Sequence, residues 1–232
     1  MQSLIGHRGA AGLAPENTLR AFRVGCQNGA DMVECDVHLS QDRNLVVIHD
    51  NTLDRTTNGS GWVKDFKVSE LEKLNAGDGE KIPTLLEVIN LVLSFNKKLV
   101  VEIKGDSWQA VKETTSVLAD FIKKQNLTKK VVVHSFWLES LKLIKSILPN
   151  VVTGVILGLG LPAKKLIALA LFAHAQEISI ADSYVSRDLI FQAHLKKLKT
   201  AAWVLNNSST FNRMKTMGVE GLITDYPGRF KI

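Results

Sequence analysis

Three acidic residues lie within apolar, strand-like segments of this 232-residue chain, where a buried charge is costly. Glu34 and Asp36 are two positions apart in the run 32–39, so on a β-strand both side chains point to the same face. Glu102 lies in a second run of β-branched residues, and Lys104 shares its face. Carboxylates at this spacing in an apolar environment repel each other unless a cation neutralises them. The pattern therefore predicts a metal site with these three acids as ligands.

The ligand atoms also indicate the kind of ion. All three candidates offer carboxylate oxygens, and no pair of Cys or His residues in the sequence has the spacing of a zinc site. Oxygen donors favour hard cations over softer transition metals. The expected cofactor is therefore a divalent cation, Mg²⁺ or Ca²⁺, and the residue types leave the choice between these two open.

Two histidines follow strand-like segments. His7 precedes Arg8 at the end of the first segment, and His49 ends a later apolar run. Cleavage of a phosphodiester requires one group that removes a proton from the nucleophile and another that donates a proton to the leaving alkoxide. Two histidines in opposite protonation states can do both near neutral pH. We predict His7 and His49 as catalytic residues, with Arg8 and Lys104 binding the phosphate.

The elements that would position these residues alternate along the chain. Short β-rich runs are separated by helical patterns, which is typical of βα units around a parallel sheet. The eight predicted strands are 3–6, 32–39, 99–104, 131–134, 151–157, 177–181, 200–205 and 221–224. Eight units favour an α/β fold of the (β/α)8 TIM-barrel type, in which the C-terminal ends of the strands form the active-site mouth. A doubly wound sheet is disfavoured because the sequence has no Gly-rich phosphate loop.

One segment interrupts the alternation. Residues 50–82 are rich in Asn, Thr, Gly, Lys and Asp and separate the second strand from its helix. They are predicted as a small insertion after strand two, within a single domain that spans residues 1–232. Residues 45–48 are predicted to extend strand two after a turn, which would bring His49 near the mouth.

Three residues near the ends of elements receive specific predictions. Asn17 is expected to cap the first helix, and Thr84, after Pro83, is expected to open the helix that follows the insertion. Trp203 lies at the end of the seventh strand, where it either walls the substrate pocket or packs as a core aromatic; we predict the first.

The composition limits the class of protein. With 45% hydrophobic and 22% charged residues, the chain can bury a sizeable core. The net charge of +6 favours an anionic substrate, but the lysines are scattered among acidic residues, so no nucleic-acid partner is expected. Two cysteines are too few for a disulfide framework, and the sequence opens without a basic and then apolar leader. These features predict a cytoplasmic protein.

The segment 158–173 is more apolar than the outside of a barrel requires. Its apolar run from Leu166 to Ala173 is far shorter than the ~20 residues of a transmembrane helix, so no membrane span is expected. Leu159 and Leu161 either pack on the barrel rim or form an exposed apolar patch beside the mouth. In the second case, the segment would make a homodimer contact or a peripheral membrane contact.

Motifs in a recognisable order cover nearly the whole chain. They are His7-Arg8-Gly9-Ala10, Pro15-Glu16-Asn17-Thr18, Val33-Glu34-Cys35-Asp36-Val37, His49-Asp50 with residues 53–59, Glu102-Ile103-Lys104, residues 203–206, and Thr224-Asp225-Tyr226-Pro227. This set resembles the glycerophosphodiester phosphodiesterase family of the PLC-like phosphodiesterase superfamily. One departure is Asp42-Arg43, where the family often has Asp-Gly. Arg43 must therefore avoid a positive φ or adopt it at some cost.

The resemblance implies a TIM barrel with an insertion after strand two, a Mg²⁺ or Ca²⁺ ion held by Glu34, Asp36 and Glu102, and catalytic His7 and His49. It also implies a small-molecule phosphodiester substrate, such as glycerophosphocholine or glycerophosphoethanolamine, that is hydrolysed to sn-glycerol 3-phosphate and an alcohol. One alternative is a lysophospholipase D of the same superfamily, which accepts an acyl chain. The other is a non-catalytic lipid-binding barrel, which would be expected to lack a metal carboxylate or a histidine.

Overall fold

The computed structural model describes residues 1–158 and 160–232, within which eight parallel strands close into a barrel. In chain order the nine strands are β1 (Ser3–Gly6), β2 (Met32–Leu39), β3 (Leu45–Val47), β4 (Lys98–Ile103), β5 (Val131–Ser135), β6 (Val152–Leu157), β7 (Glu177–Ala181), β8 (Lys199–Trp203) and β9 (Gly221–Thr224). β3 pairs antiparallel with β2, and the other eight form the ring, which closes because β1 pairs with both β2 and β9. The predicted TIM barrel is confirmed, and each predicted barrel strand is found within two residues of its expected ends.

Helices follow the barrel strands and cover the outside of the sheet. They are α1 (Leu19–Gln27), α2 (Val68–Leu71), α3 (Leu85–Ser94), α4 (Trp108–Lys124), α5 (Leu138–Ile147), α6 (Ala163–Phe172), α7 (Arg187–Leu195) and α8 (Ser208–Met217). The short α2 belongs to the segment after β3 rather than to the outer layer. The last strand is followed by a single 3₁₀ turn, Pro227–Arg229. This order gives the repeated βα units that the alternation in the sequence predicts.

Side-chain alternation along the strands divides the core into two layers. The barrel interior is filled by one set of apolar residues, which are Ile5, Val100, Val132, Ala201 and Ile223. Their neighbours along each strand point outward and pack beneath the helices. Because side chains two positions apart share a face, Glu102 points into the barrel with Val100. The same period explains why charged side chains reach the interior from strands that are otherwise apolar.

The start of α1 differs from the prediction. Thr18, not Asn17, is the N-cap residue, and its side chain accepts a hydrogen bond from the backbone N–H of Ala21. Asn17 has a φ of 60° and donates from Nδ2 to Asp36 Oδ2 at 2.8 Å. The prediction for Asn17 was therefore wrong because a buried carboxylate binds its amide. At α3 the prediction is confirmed, since Thr84 caps the helix in a capping box with Glu87.

The chain leaves the barrel between β3 and α3. This segment contains the 3₁₀ turn Val63–Asp65 and α2, and it has a small apolar core formed by Val46, Ile48, Leu53, Val63, Leu71, Ala76 and Ile82. The turn that leads into β3 places Arg43 at a φ of 63°, so this side chain adopts the left-handed region at a cost of roughly 1–2 kcal/mol. The hairpin formed by β2 and β3 brings His49, two residues after β3, to the mouth.

The apolar segment 158–173 is mostly packed where the structure describes it. Leu159 lies outside the described residues, and Leu161 packs partly buried against the outer core. In α6, Leu166 and Ile167 face the barrel, whereas Leu171 and Phe172 are 46% and 54% exposed. These two side chains lie at the C-terminal end of α6, which in a βα barrel is the end opposite the mouth. In the described part of the chain, no helix has the length and apolar character of a membrane span.

Candidate active site

Three carboxylates from two neighbouring strands meet at the mouth of the barrel. Glu34 and Asp36 come from β2 and Glu102 from β4, and the register places Asp36 directly beside Glu102. One oxygen of each side chain lies within 4.8 Å of an oxygen of the other two. All three residues are buried, with Asp36 only 1% exposed. A buried cluster of oxygen donors at this separation can hold a divalent cation.

The raised pKa values of two of these carboxylates, together with one oxygen that lacks a hydrogen-bond partner, fit a cation site. Burial raises the pKa of Glu34 well above its usual value, and the charge of Asp36 raises it further. Glu34 Oε1 is buried and has no hydrogen-bond partner among the described residues, while Oε2 accepts from the backbone N–H of Arg8 at 2.9 Å. Burial and the charge of Asp36 also raise the pKa of Glu102. An orphaned carboxylate oxygen in such a place is the kind of donor that a metal ion satisfies.

Asp36 differs from the other two carboxylates because its pKa lies below its usual value. Burial alone would raise its pKa, but the charges of Lys104 and Arg8 outweigh burial and hold the pKa below its usual value. Lys104 Nζ lies 3.2 Å from Asp36 Oδ1 and 2.5 Å from Glu102 Oε1, and Arg8 Nε lies 3.5 Å from Asp36 Oδ2. Both cations also line the cavity at the mouth. They are therefore placed to bind an anionic group next to the acidic cluster.

His7 follows β1 directly, and a carboxylate fixes its ring. Its Nδ1 lies 2.7 Å from Asp225 Oδ1, and because a carboxylate only accepts hydrogen bonds, Nδ1 carries a proton. Asn206 Nδ2 donates to the other oxygen of Asp225 at 2.6 Å. Burial lowers the pKa of His7, but the hydrogen bond to Asp225 and the charge of Glu34 outweigh it, so the pKa lies above its usual value. The ring of His7 therefore binds a proton more readily than a free imidazole does, and its Nε2 is left for the cavity.

His49 has a similar arrangement with the opposite electrostatic result. Its Nδ1 lies 2.6 Å from Asp50 Oδ1, and Asp50 is in turn bound by Arg55. Burial lowers the pKa of His49 and the charge of Lys104 lowers it further, against the attraction of Asp36. The net shift is downward, so the ring favours the neutral state. The pKa values of the two histidines are thus shifted in opposite directions, as they would be in a pair of which one donates a proton and the other accepts one.

A cavity of about 140 Å³ joins the predicted residues. His7, His49, Arg8, Lys104, Glu34, Glu102 and Trp203 line it. Asp36 lies just beneath, at hydrogen-bond distance from Lys104. Phe136 packs edge-on against Trp203 with ring centroids 6.4 Å apart, so one wall is aromatic. Trp203 Nε1 is buried and has no hydrogen-bond partner among the described residues, which leaves its N–H available to a ligand oxygen. The structure therefore brings together every residue predicted for the site.

Two further histidines, His38 and His134, lie near this cavity. His38 Nε2 contacts the backbone carbonyl of His49 at 3.2 Å, and burial lowers the pKa of His38 to about 4. A neutral ring there donates to the carbonyl and supports the position of His49. His134 lines the cavity floor and lies 3.3 Å from Glu177. Gly154 leaves the space that His134 occupies, because a Cβ at Gly154 would lie 2.5 Å from Nε2 of His134.

Sequence reasoning missed the residues that hold the histidines and Arg8. Asp225 and Asn206 bind behind His7, and Asp50 binds behind His49. Glu16 accepts from Arg8 Nη1 at 2.7 Å, and Arg55 contacts both Glu16 and Asp50. All five lie in the motifs on which the resemblance rests, but none received a role. The available signal was that Asp50 directly follows a candidate catalytic histidine and that Asp225 ends the last barrel strand.

Comparison with known proteins gives a consistent result. A family model described as the glycerophosphoryl diester phosphodiesterase family matches residues 7–229. YhdW of Bacillus subtilis is 38% identical over 97% of this chain and 94% of its own length. A glycerophosphodiester phosphodiesterase of Caldanaerobacter subterraneus is 36% identical, with the same coverage. A solved structure of an Oleispira antarctica phosphodiesterase with the product sn-glycerol-3-phosphate has a TM-score of 0.90 and 28% identity, covering 99% of this chain and 95% of its own.

Proposed function

Because this chain belongs to the glycerophosphoryl diester phosphodiesterase family, we propose that it hydrolyses glycerophosphodiesters to sn-glycerol 3-phosphate and an alcohol. The observation that carries the proposal is one cavity lined by two histidines, two cations and members of a buried carboxylate cluster. The Oleispira antarctica phosphodiesterase, which shares this fold, holds sn-glycerol-3-phosphate as its product. The same product here would place its phosphate between Arg8 and Lys104.

The carboxylate cluster is proposed as the cofactor site. Glu34, Asp36 and Glu102 would hold Mg²⁺ or Ca²⁺, since all are oxygen donors and Glu34 Oε1 has no other partner among the described residues. Such a cation supplies Lewis-acid chemistry, because it lowers the pKa of a hydroxyl and offsets phosphate charge. Lys104 and Arg8 add positive charge at the same place, and this stabilises the transition state more than the ground state as negative charge accumulates.

The histidines move the protons. His49, whose pKa lies below its usual value, is neutral near pH 7 and accepts the proton of the nucleophile at Nε2. His7, whose pKa lies above its usual value, binds a proton more readily than His49 and donates it from Nε2 to the leaving alkoxide. Asp50 and Asp225 hold the Nδ1 atoms and so keep each Nε2 directed at the cavity. The nucleophile is water or the neighbouring glycerol hydroxyl, and product analysis in labelled water distinguishes the two.

A substrate panel tests the proposed function. Purified protein with added Mg²⁺ or Ca²⁺ is expected to release glycerol 3-phosphate from glycerophosphocholine and glycerophosphoethanolamine, as measured by an enzyme-coupled glycerol 3-phosphate assay. The matching lysophospholipids are run in parallel, and release of choline or ethanolamine is measured for both substrate classes, because a lysophospholipid gives lysophosphatidic acid instead of glycerol 3-phosphate. Faster headgroup release from lysophosphatidylcholine than from glycerophosphocholine would instead identify a lysophospholipase D. No turnover of any diester would favour the non-catalytic lipid-binding barrel, although the retained carboxylates and histidines argue against that outcome.

A contact of the segment 158–173 with a second copy or a membrane surface is a separate proposal. Leu171 and Phe172, both exposed on α6, supply the apolar area that such a contact would bury. The double replacement Leu171→Ser and Phe172→Ser is expected to lower the mass in solution or the co-sedimentation with anionic liposomes. Leu86→Ser, at an equally exposed leucine on α3, serves as the control and is expected to change neither. A parent protein that is monomeric and does not sediment with liposomes contradicts the proposal.

A further inference from the structure

The segment after β3 contributes one arginine to the periphery of the site. Arg55 contacts Asp50 through Nε at 2.6 Å and Nη2 at 3.1 Å. It contacts Glu16 through Nη2 at 2.7 Å and Nη1 at 3.0 Å. Both pairs have the bidentate geometry in which a planar guanidinium matches a carboxylate. Arg55 therefore joins a carboxylate on its own segment to one in the loop between β1 and α1.

Each of these carboxylates also holds a residue that faces the substrate. Asp50 Oδ1 accepts from Nδ1 of His49 at 2.6 Å, and Glu16 Oε1 accepts from Nη1 of Arg8 at 2.7 Å. A shift of Asp50 turns the imidazole, and a shift of Glu16 moves the guanidinium that is placed for the phosphate. Arg55 is the group that contacts both carboxylates, so a single side chain fixes the position of a proton acceptor relative to a phosphate-binding group.

The contacts leave Arg55 little capacity to bind substrate itself. A guanidinium has five N–H donors. The contacts with Asp50 and Glu16 use Nε once, Nη1 once and Nη2 twice. Arg55 also does not line the cavity that His49 and Arg8 line. These facts favour a role through its neighbours over a direct contact with the phosphodiester.

The carboxylates behind the two histidines are held by different groups. The carboxylate behind His7 is Asp225, and it is held by the neutral amide of Asn206 at the end of β8. Both of those residues belong to the barrel itself. The carboxylate behind His49 is held by a charged group that comes from outside the barrel. The guanidinium offsets the charge of Asp50, which favours the neutral form of the imidazole that a proton acceptor requires.

We propose that Arg55 is a positioning residue for hydrolysis, which sets the orientation of His49 through Asp50 and that of Arg8 through Glu16. This inference rests on the proposed function, because it assigns a reaction to His49 and Arg8. Arg55→Ala lowers kcat about 10- to 100-fold, the range expected when a catalytic group is misplaced by about 1 Å, and raises KM by a smaller factor. Arg55→Lys recovers only part of kcat, because an ammonium cannot contact two carboxylates in bidentate fashion.

A control arginine tests whether the loss is specific to Arg55 or follows from removing any arginine that links the barrel to the segment after β3. Arg20 on α1 contacts Asp78 at 3.3 Å, and both are exposed. It also links the barrel to the segment after β3 but contacts none of the residues that line the cavity. Arg20→Ala leaves kcat within twofold of the parent. Guanidinium chloride at millimolar concentration, far below the molar range that unfolds proteins, restores part of the kcat of Arg55→Ala and none in Arg20→Ala. Equal losses in both variants, or an Arg55→Ala variant with parental kcat, overturn the proposal.

A measurement without substrate keeps the two proposals distinguishable. In protein with ¹⁵N-labelled histidine, the Nδ1 proton of His49 is assigned by its loss in His49→Ala. It exchanges slowly with water in the parent and in Arg20→Ala, and it exchanges faster or disappears in Arg55→Ala. The Nδ1 proton of His7 is unchanged in all of these proteins, since Asn206 holds its carboxylate. If the parent fails to turn over glycerophosphodiesters but shows this pattern, the proposed function fails together with the role of Arg55 in hydrolysis, while the orientation of His49 by Arg55 stands. An unchanged His49 signal in Arg55→Ala overturns the positioning role whatever the activity.

Discussion

Excess EDTA is expected to abolish the release of glycerol 3-phosphate, and added Mg²⁺ or Ca²⁺ is expected to restore it. The reason is the buried cluster of Glu34, Asp36 and Glu102, whose oxygens lie within 4.8 Å of one another and repel without a cation. A metal of this kind stabilises the charge of the transition state by several kcal/mol, so its removal is expected to lower the rate of hydrolysis roughly 10³-fold. Initial rates before chelation, after chelation and after addition of each ion give the comparison. Full turnover in excess EDTA would rule out the metal assignment.

Thermal unfolding tests the same site without substrate. Burial raises the pKa of Glu34 to about 8, so between the unfolded pKa of 4.5 and about pH 8 the unfolded state loses a proton that the folded state keeps, and the metal-free fold becomes less stable as pH rises. In EDTA near pH 8, Glu34→Gln is therefore expected to unfold at a higher temperature than the parent, while its activity is lost. Added Mg²⁺ or Ca²⁺ should raise the melting temperature of the parent but not that of Glu34→Gln. Glu139→Gln, an exposed position on α5, is the control and should behave as the parent does in both respects.

The barrel could be predicted because its signals are local. Each strand is a short run rich in apolar or β-branched residues, and the structure places all eight within two residues of the expected positions. The acidic cluster could be predicted for the same reason, since a carboxylate such as Glu34 or Glu102 in an apolar run stands out against its neighbours. His7 was visible because it follows a barrel strand, and parallel barrel strands bring their C-terminal ends to one mouth. His49 follows β3, which pairs antiparallel with β2 and so returns the chain along that strand.

The partners of these residues could not be predicted in the same way. His7 and Asp225 are 218 positions apart, and Arg55 and Glu16 are 39 positions apart, so no local pattern joins them. Their contact depends on the closure of the barrel between β1 and β9 and on the path of the segment after β3. Asn17 shows the same limit at short range. Either Asn17 or Thr18 can cap a helix by residue type, and the choice was made by Asp36, which comes from the next strand and binds the amide of Asn17.

Replacement of either His7 or His49 with Ala is expected to lower kcat by ~10²–10⁴-fold, the usual effect of losing a general acid or base. Both residues lie at the ends of strands, so the melting temperature should change little. His174→Ala is the matched control, because His174 is exposed beyond α6 and does not line the cavity. It should keep parental turnover. A loss in this variant as well would mean that removing any imidazole lowers activity through a general effect on the protein. A His7→Ala or His49→Ala variant with near-parental kcat would exclude that residue from catalysis.

The leaving group can show which histidine is the acid. We proposed proton donation by His7 and proton acceptance by His49, in line with the raised pKa of His7 and the lowered pKa of His49. A diester whose alcohol is p-nitrophenol needs no proton on departure, because the phenolate is already a stable anion. His7→Ala should therefore lose much less activity on glycerophospho-p-nitrophenol than on glycerophosphocholine, whereas His49→Ala should lose about as much on both, since the nucleophile is unchanged. The opposite pattern would exchange the two roles. Equal losses on both substrates in both variants would mean that neither imidazole acts as the proton donor in the step that limits the rate.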